Sequence, residues 1–417
     1  MSIEKDVRNF LAGISENSKV YFDCETDKSP IEYKSGEKMT FKFCVRTDDG
    51  IVPVPYIQAT SQGDDGKKTE QIIAASDDGY FYFKTEVERD GFVRVICTAM
   101  DENKNVIDGI DKFEGGAGAD IEKIRLCTDT PADYLDFWEE LKNDALSIPK
   151  KVIYEKDLEA PESFVAKDMR FETTAGKFLS LIVTYPKNAT PGSLMLRMNF
   201  LGYGMTSAPV GYSGKHMVIG VNSHDVENGL TPEQYNEIKT TYYQNYGFIA
   251  EENKNPRTSY WYKMFVRDMQ AFFYFKDHEL LNKKDYIFVG GSQGGMQACH
   301  MAAHCGYASE CLLSIPWCCD LWAIEKEKRM RGWRPDTSVA MNYFDTALAA
   351  SYLKCPVYIE AGLGDYVCPP SGQVAMYNAI SAPKMLRFVQ NQTHPYRPPV
   401  KRYYTLDGGF EDKNLKF

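Results

Sequence analysis

One stretch constrains this chain more than any other: Tyr286-Ile-Phe-Val-Gly-Gly-Ser-Gln-Gly-Gly-Met-Gln-Ala-Cys-His300. Four apolar residues, 286–289, read as a buried strand. They run straight into Gly290-Gly-Ser-Gln-Gly-Gly295, after which a helical pattern begins. A G-x-S-x-G run between a strand and a helix forces a sharp turn that lifts the serine hydroxyl above the sheet edge. Glycines two positions either side let the two backbones pass where a Cβ would collide. Five residues of this kind also arise by chance. Their meaning therefore rests on whether the chain builds a sheet to hold the turn and supplies partners for Ser292.

The sheet is readable. From about residue 165 onward, apolar runs at 178–185, 194–200, 217–221, 286–289, 311–315, 357–360 and 385–389 alternate with helical patterns. The longest helix is predicted over 260–281, where Phe265, Met269, Phe272 and Phe273 fall on one face as core residues. Such alternation predicts an α/β domain with a mostly parallel, doubly wound sheet and helices on both faces. Ligands on such sheets bind at the carboxyl ends of the strands, where Ser292 would sit.

The first third of the chain has a different period. Apolar residues alternate in twos through 19–24, 39–46, 52–59, 80–88, 92–99 and 121–126, between turns such as Thr47-Asp-Asp-Gly50 and Arg89-Asp-Gly91. Short strands at this spacing predict an immunoglobulin-like β-sandwich over residues 1–127, opened by a short helix within 1–16. The catalytic domain would then occupy 128–417, entered through an amphipathic helix that starts near Pro131. Two domains are also what 417 residues suggest. The run Phe113-Glu-Gly-Gly-Ala-Gly-Ala-Asp120 breaks the pattern. It lacks the spacing and surroundings of a dinucleotide turn, and reads as a flexible connection or a close approach of the backbone to the other domain.

Composition excludes several functions. A net charge of −10 argues against nucleic acid, whose phosphates require a basic face. No apolar run reaches the length of a membrane span, and Met1 to Arg8 has no signal-like apolar core. The 11 cysteines are odd in number, scattered, and contain no C-x-x-C pair. Free thiols in a reducing, cytoplasmic compartment are expected, with export requiring a signal peptide.

A serine hydroxyl needs a base in hydrogen-bond reach and a third group to orient that base. On sheets with this turn the partners follow in the order serine, acid, histidine. His216, His224 and His278 precede Ser292. His300 and His304 lie on the helix that starts at the turn and are expected to point away from it. His394, after the last strand, remains. His300 and His304 have helical zinc spacing, but the glutamate that would follow the first is Met301, and no third ligand is evident. For the acid, Asp365 in Ala361-Gly-Leu-Gly-Asp-Tyr366 follows a predicted strand and fits best, with Asp345 and Asp320 as alternatives. Two backbone donors would complete an oxyanion hole: Gln293, next to the nucleophile, and Tyr203, in Leu201-Gly-Tyr-Gly204 after strand 194–200.

These residues resemble the acetyl xylan esterase and cephalosporin C deacetylase family of carbohydrate esterases, on an α/β-hydrolase fold. The resemblance covers roughly 130–395: the Gly290–Gly295 turn, Asn255-Pro-Arg-Thr-Ser-Tyr-Trp-Tyr262, Tyr343-Phe-Asp345, Gly362-Leu-Gly-Asp365 and Cys368-Pro-Pro-Ser371. It implies a triad of Ser292, Asp365 and His394, an oxyanion hole at Tyr203 and Gln293, and no metal or organic cofactor. The implied reaction removes acetyl groups from sugars, xylo-oligosaccharides first among them. A small acetylated sugar is the expected partner, with neither nucleic acid nor membrane, and the family's ring-like assemblies leave a homo-oligomer open. Departures stand beside these matches. Val221-Asn-Ser-His-Asp-Val226 replaces the family's Arg-Gly-Gln, Pro395 replaces the glutamate after the histidine, and Leu201-Gly-Tyr203 replaces His-Gly-Tyr. A feruloyl or general carboxylesterase differs only in its pocket. An inactive carbohydrate-binding protein would keep the fold without the chemistry.

Overall fold

The structure is a computed structural model and describes residues 19–411 apart from Ser223. The helix expected within 1–16 lies outside the described residues. The N-terminal part contains β1 (Tyr21–Thr26), β2 (Met39–Thr47), β3 (Gly50–Ile51), β4 (Tyr56–Gly63), β5 (Lys68–Ala74), β6 (Phe81–Thr85), β7 (Gly91–Met100) and β8 (Phe113–Ala119). One four-stranded sheet joins β1, β2, β3 and β6, and the other runs β5-β4-β7-β8. The period-two residues explain why the sheets meet. Phe41, Phe43 and Val45 of β2 and Val93, Val95 and Cys97 of β7 are buried in one common core, where Phe43 meets Phe113 edge-on at 5.0 Å.

Three expectations need correction here. Residues 121–126 are not a strand: Ile121–Lys123 makes one turn of 3-10 helix, and Ile121 and Ile124 sink into the core of the other domain. The strand is the glycine-rich run instead. Without side chains at Gly115, Gly116 and Gly118 it shows no alternation to read, and every residue of β8 is buried. The stretch 52–59 is also not one strand, because Pro53 and Pro55 cannot donate to a ladder, and β4 begins only at Tyr56. Strand β5 is almost wholly exposed, and its apolar residues, Ile72, Ile73 and Ala74, are consecutive and show no alternation to read.

The second part is a ten-stranded sheet of β9 (Val152–Asp157), β10 (Phe164–Phe171), β11 (Leu179–Pro186), β12 (Leu194–Phe200), β13 (His216–Val221), β14 (Leu281–Gly291), β15 (Glu310–Ser314), β16 (Val357–Gly362), β17 (Lys384–Val389) and β18 (Tyr403–Gly408). Its order is β18-β17-β16-β15-β14-β12-β13-β11-β10-β9. The pairings from β13 through β17 are parallel, and antiparallel strands flank them on both sides. The helices are α1 (Tyr134–Ser147), α2 (Pro232–Tyr242), α3 (Tyr260–Phe275), α4 (Gln293–His304), α5 (Ala323–Glu327), α6 (Thr346–Ala350) and α7 (Pro370–Ala379). Helix α3 ends at Phe275 rather than 281, since Leu281 already pairs with Leu194 as sheet. None of the helices among the described residues is long and apolar enough to cross a membrane.

Among the described residues, the expectation of helices on both faces is not met. Leu194, Leu196, Met198 and Phe200 join α1, α3, α4, α6 and α7 in one core. Arg197 and Asn199 point the other way and stay half-buried. With Val289, Ser314, Tyr358 and Glu360 they border an open groove of about 420 Å³. The reason is local: the chain between β12 and β13 is an irregular loop rather than a helix. Its Pro209 lies so close to Gly220 that a Cβ there would stand 1.8 Å from the Pro209 carbonyl oxygen.

The two parts meet along β7, β8 and β17. Phe92 contacts Phe388 at 5.7 Å between ring centres. Nearby, buried Arg329 donates to Asp90 at 2.7 Å, and the Asp64 carboxylate accepts from the N–H groups of Phe92 and Met330 at 2.8 and 2.9 Å.

Candidate active site

Strand β14 and helix α4 meet at Ser292, whose φ of 54° and ψ of −121° lie in a region that L-residues rarely occupy. The surrounding packing holds it there. A Cβ on Gly290 would stand 2.0 Å from the Gly294 carbonyl oxygen, and one on Gly294 would stand 2.2 Å from that of Phe200. Both positions thus need glycine because strand, turn and helix cross within van der Waals distance. The Ser292 N–H donates to Ser314 of β15 at 2.9 Å, and its carbonyl accepts from Trp317 at 3.1 Å.

Ser292 Oγ lies 3.0 Å from His394 Nε2, and His394 Nδ1 lies 2.9 Å from Asp365 Oδ2. The Asp365 side chain is fully buried while that of His394 is 25% exposed, so the base reaches solvent and the acid does not. The other Asp365 oxygen accepts from the N–H groups of Val367 and Cys368 at 3.0 and 2.9 Å, which fixes the carboxylate plane. The loops carrying the two residues are tied together, with the Gly364 N–H donating to Gln392 at 3.0 Å. The serine of the turn, the histidine left by chain order and the aspartate chosen by its loop position are therefore the three that meet.

The alternatives have other work. Asp345 caps α6 through the N–H groups of Ala347 and Leu348 at 2.8 and 3.1 Å. Asp320 accepts from Cys127 and Thr128 at 2.8 and 3.2 Å, pinning the segment that enters the second domain. His300 sits in the core with Nδ1 3.1 Å from the Met296 carbonyl, and His304 stacks on Trp138 at 4.3 Å. Burial pushes the His300 pKa down to about 3. Among the described residues, Asp365, Cys368 and His394 alone bring metal-type donors into one group, with those atoms within 4.8 Å of one another. Two of the three are already hydrogen-bonded to each other, and burial raises the Cys368 thiol well above its usual range, so the set suits proton transfer better than a cation.

The oxyanion side contains residues that chain order did not find. Gln293 opens α4, so its N–H is among those a helix cannot satisfy internally. The loop after β12 passes beside the nucleophile, where a Cβ on Gly202 would touch that of Ser292 at 3.8 Å. Tyr246 joins the two: its hydroxyl accepts from the Gly204 N–H at 2.9 Å and donates to Gln293 Oε1 at 3.1 Å. Its ring stacks on Tyr203 at 4.3 Å. His224 anchors the same loop. Nε2 lies 2.7 Å from the Gly204 carbonyl, and Nδ1 lies 2.6 Å from the Tyr260 hydroxyl. One neutral tautomer satisfies both, with the proton on Nε2 given to the carbonyl and Nδ1 accepting from Tyr260. Burial lowers the His224 pKa to about 4. The segment departing from Arg-Gly-Gln thus has a stated role: Asn222 accepts from the His224 N–H at 3.0 Å, and Asp225 accepts from Lys177 N–H at 2.6 Å. Only the replaced family motif hinted at His224 in the sequence, and nothing hinted at Tyr246.

Parallel strands whose carboxyl ends carry a strained serine turn after β14, the acid after β16 and the histidine after β17 define an α/β-hydrolase. Within that class the chain belongs to the acetyl xylan esterase family, whose model matches residues 119–406. It is accordingly a carboxylic ester hydrolase. An acetyl esterase of Xylanibacter ruminicola, Axe7A, is 25% identical over 376 residues, covering 84% of this chain and 82% of that protein. Two solved structures share the fold. The acetyl xylan esterase from Paenibacillus sp. R4 matches with a TM-score of 0.53 at 20% identity, over 67% of this chain and 94% of that one. Acetyl xylan esterase 1 from Thermoanaerobacterium sp. JW/SL YS485 matches with 0.54 at 18% identity, over 67% and 93%.

Proposed function

We propose that Ser292, His394 and Asp365 remove O-acetyl groups from acetylated carbohydrates through an acetyl-enzyme, with xylo-oligosaccharides as the substrate class. The observation that carries this reading is the continuous chain from Ser292 Oγ to His394 to Asp365, at 3.0 and 2.9 Å, beneath a serine held at positive φ. Ser292 Oγ gives its proton to His394 Nε2 and attacks the acetyl carbonyl carbon. Asp365 holds the imidazole by Nδ1 and stabilises the imidazolium that forms. The N–H groups of Gln293 and Tyr203 receive the developing oxyanion. As the tetrahedral species collapses, His394 protonates the sugar oxygen and the alcohol leaves. His394 then takes a proton from water, whose attack releases acetate and restores Ser292. The relatives' names, acetyl esterase and acetyl xylan esterase, support the acetyl sugar as substrate.

For the N-terminal part the proposal is an immunoglobulin-like sandwich ending near residue 127, supported by its separate apolar core. The family resemblance also supports a homo-oligomer, which light scattering across a concentration series reads. The chemistry is tested by assaying the parent and Ser292→Ala on p-nitrophenyl acetate, a longer-chain ester, acetylated xylose and methyl ferulate. The expected result is a preference for acetyl esters and a loss of about 10⁴ to 10⁶ in the variant. Equal activity of variant and parent ends the nucleophile assignment, and preference for ferulate ends the deacetylase one.

A further inference from the structure

The family match begins at residue 119, yet His394 borders a cleft whose far wall comes from residues before that point. The cleft encloses about 460 Å³ between the His394 loop, Tyr366, Tyr396 and four residues on or between β7 and β8: Arg94, Asp111, Lys112 and Glu114. That volume falls in the range of small-molecule sites and far exceeds what an acetyl group needs.

Reaction chemistry fixes which part of the substrate lies there. The histidine must deliver its proton to the alcohol oxygen as the ester breaks, so the alcohol half lies on the histidine's side. The carbonyl oxygen lies across the site, at the N–H groups of Tyr203 and Gln293. The cleft also has the chemistry of a neutral, hydroxyl-rich ligand. Glu114 pairs with Arg94 and with Lys112, each at 2.5 Å, and Asp111 lines the same wall, so two cations face two carboxylates and the wall offers donors and acceptors whose charges largely cancel. Tyrosines complete it: the Arg94 guanidinium lies over the Tyr366 ring at 4.7 Å, and half-buried Tyr396 stands beside the histidine loop. Aromatic faces beside hydrogen-bonding groups suit a sugar ring, apolar on its C–H faces and polar at its rim.

The wall is also fixed in place. The Glu114 N–H donates to Asn391 at 3.1 Å. Its carbonyl lies so near the acid loop that a Cβ on Gly364 would stand 1.9 Å from it.

We infer that this cleft is the subsite for the carbohydrate half of the ester, holding neutral sugar units of the leaving alcohol, and that the N-terminal domain supplies its outer wall. The inference rests on the reading of Ser292 and His394 above, and its test does not depend on turnover. Full-length Ser292→Ala is titrated calorimetrically with unacetylated xylotriose, alone and combined with Lys112→Ala or Tyr396→Ala. Lys112 is 57% exposed, so its removal leaves the Arg94–Glu114 pair intact, and near-ultraviolet circular dichroism checks that each variant keeps the parent fold. The expected result is saturable binding whose Kd rises about tenfold in each combined variant, or about 1.4 kcal/mol. Absence of binding by Ser292→Ala, or an unchanged Kd in both combined variants, overturns the subsite. Retention of esterase activity by Ser292→Ala instead overturns the nucleophile, so the two failures are distinguishable.

Discussion

Ser292 and its two partners stand on different supports. The serine is held by its own surroundings: β14 beneath it, α4 above it, and Gly290, Gly294 and Phe200 at distances that admit no side chain. Asp365 and His394 are held partly from outside their domain. The Gly116 backbone, on β8, exchanges two hydrogen bonds with the Gln390 side chain at 3.0 and 2.9 Å, just ahead of the histidine loop. The Glu114 backbone packs on Gly364, beside the acid. One half of the site is thus a property of the hydrolase sheet, and the other depends on a strand contributed by a separate core. A change confined to a reacting side chain should strike chemistry alone, whereas damage to the contacts between the two parts should couple chemistry to stability.

The largest test of this contrast is Asp365→Asn. Its side chain keeps an oxygen for the Val367 and Cys368 N–H groups but presents an N–H to His394 Nδ1, forcing the wrong tautomer. A fall in kcat of about 10⁴ is expected, with the thermal melting point nearly unchanged. A large drop in melting point would mean that the acid is chiefly structural.

Next is Gly364→Ala, whose new methyl group must push β8 away from the acid loop. Overpacking of this kind costs about 1–3 kcal/mol, and denaturant unfolding should register it together with a fall in kcat. Stability loss at full kcat would show that the N-terminal strand does not position the acid. Gln390→Ala comes third. It strands the buried Gly116 N–H and carbonyl, costing about 1–3 kcal/mol for each group left unsatisfied, reduced where water enters the gap. The melting point should fall with a smaller loss of activity.

These contrasts also explain what was legible in the sequence. The serine turn, the central strands and the histidine could be read because their signals are local: an apolar run, glycines at fixed offsets, and a chain order leaving one histidine. Asp365 was legible for the same reason, as a loop residue following a strand. Strand β8 was not, since glycines carry no periodicity and its place is set by Val93, Gln390 and Gly364, all distant in sequence. Tyr246 and His224 were hidden likewise, because only folding brings them to Gly204. The sheet face that no described helix covers was missed because alternation of strands with helices counts the helices without saying which face each covers.

The smallest effect belongs to the serine side. His224 has a folded pKa of about 4, below its ordinary 6.5, so between those values the unfolded chain binds more protons than the native one. Its contribution to stability is complete above pH 6.5 and is lost as the pH falls through about 4. Between pH 7 and pH 5.5 that amounts to about 1 kcal/mol. Urea unfolding across this range should show a shallower decline for His224→Gln than for the parent. Parallel curves would remove buried, neutral His224 from the account.

The central claim is that an acetyl group passes through Ser292. Acid quenching during turnover of p-nitrophenyl acetate, followed by digestion and mass spectrometry, tests it directly. The account predicts one added acetyl group, carried by Ser292 itself in its Gly290–Gly295 peptide and missing from Ser292→Ala. An acetyl group carried by a different residue, with turnover undiminished in Ser292→Ala, would contradict it.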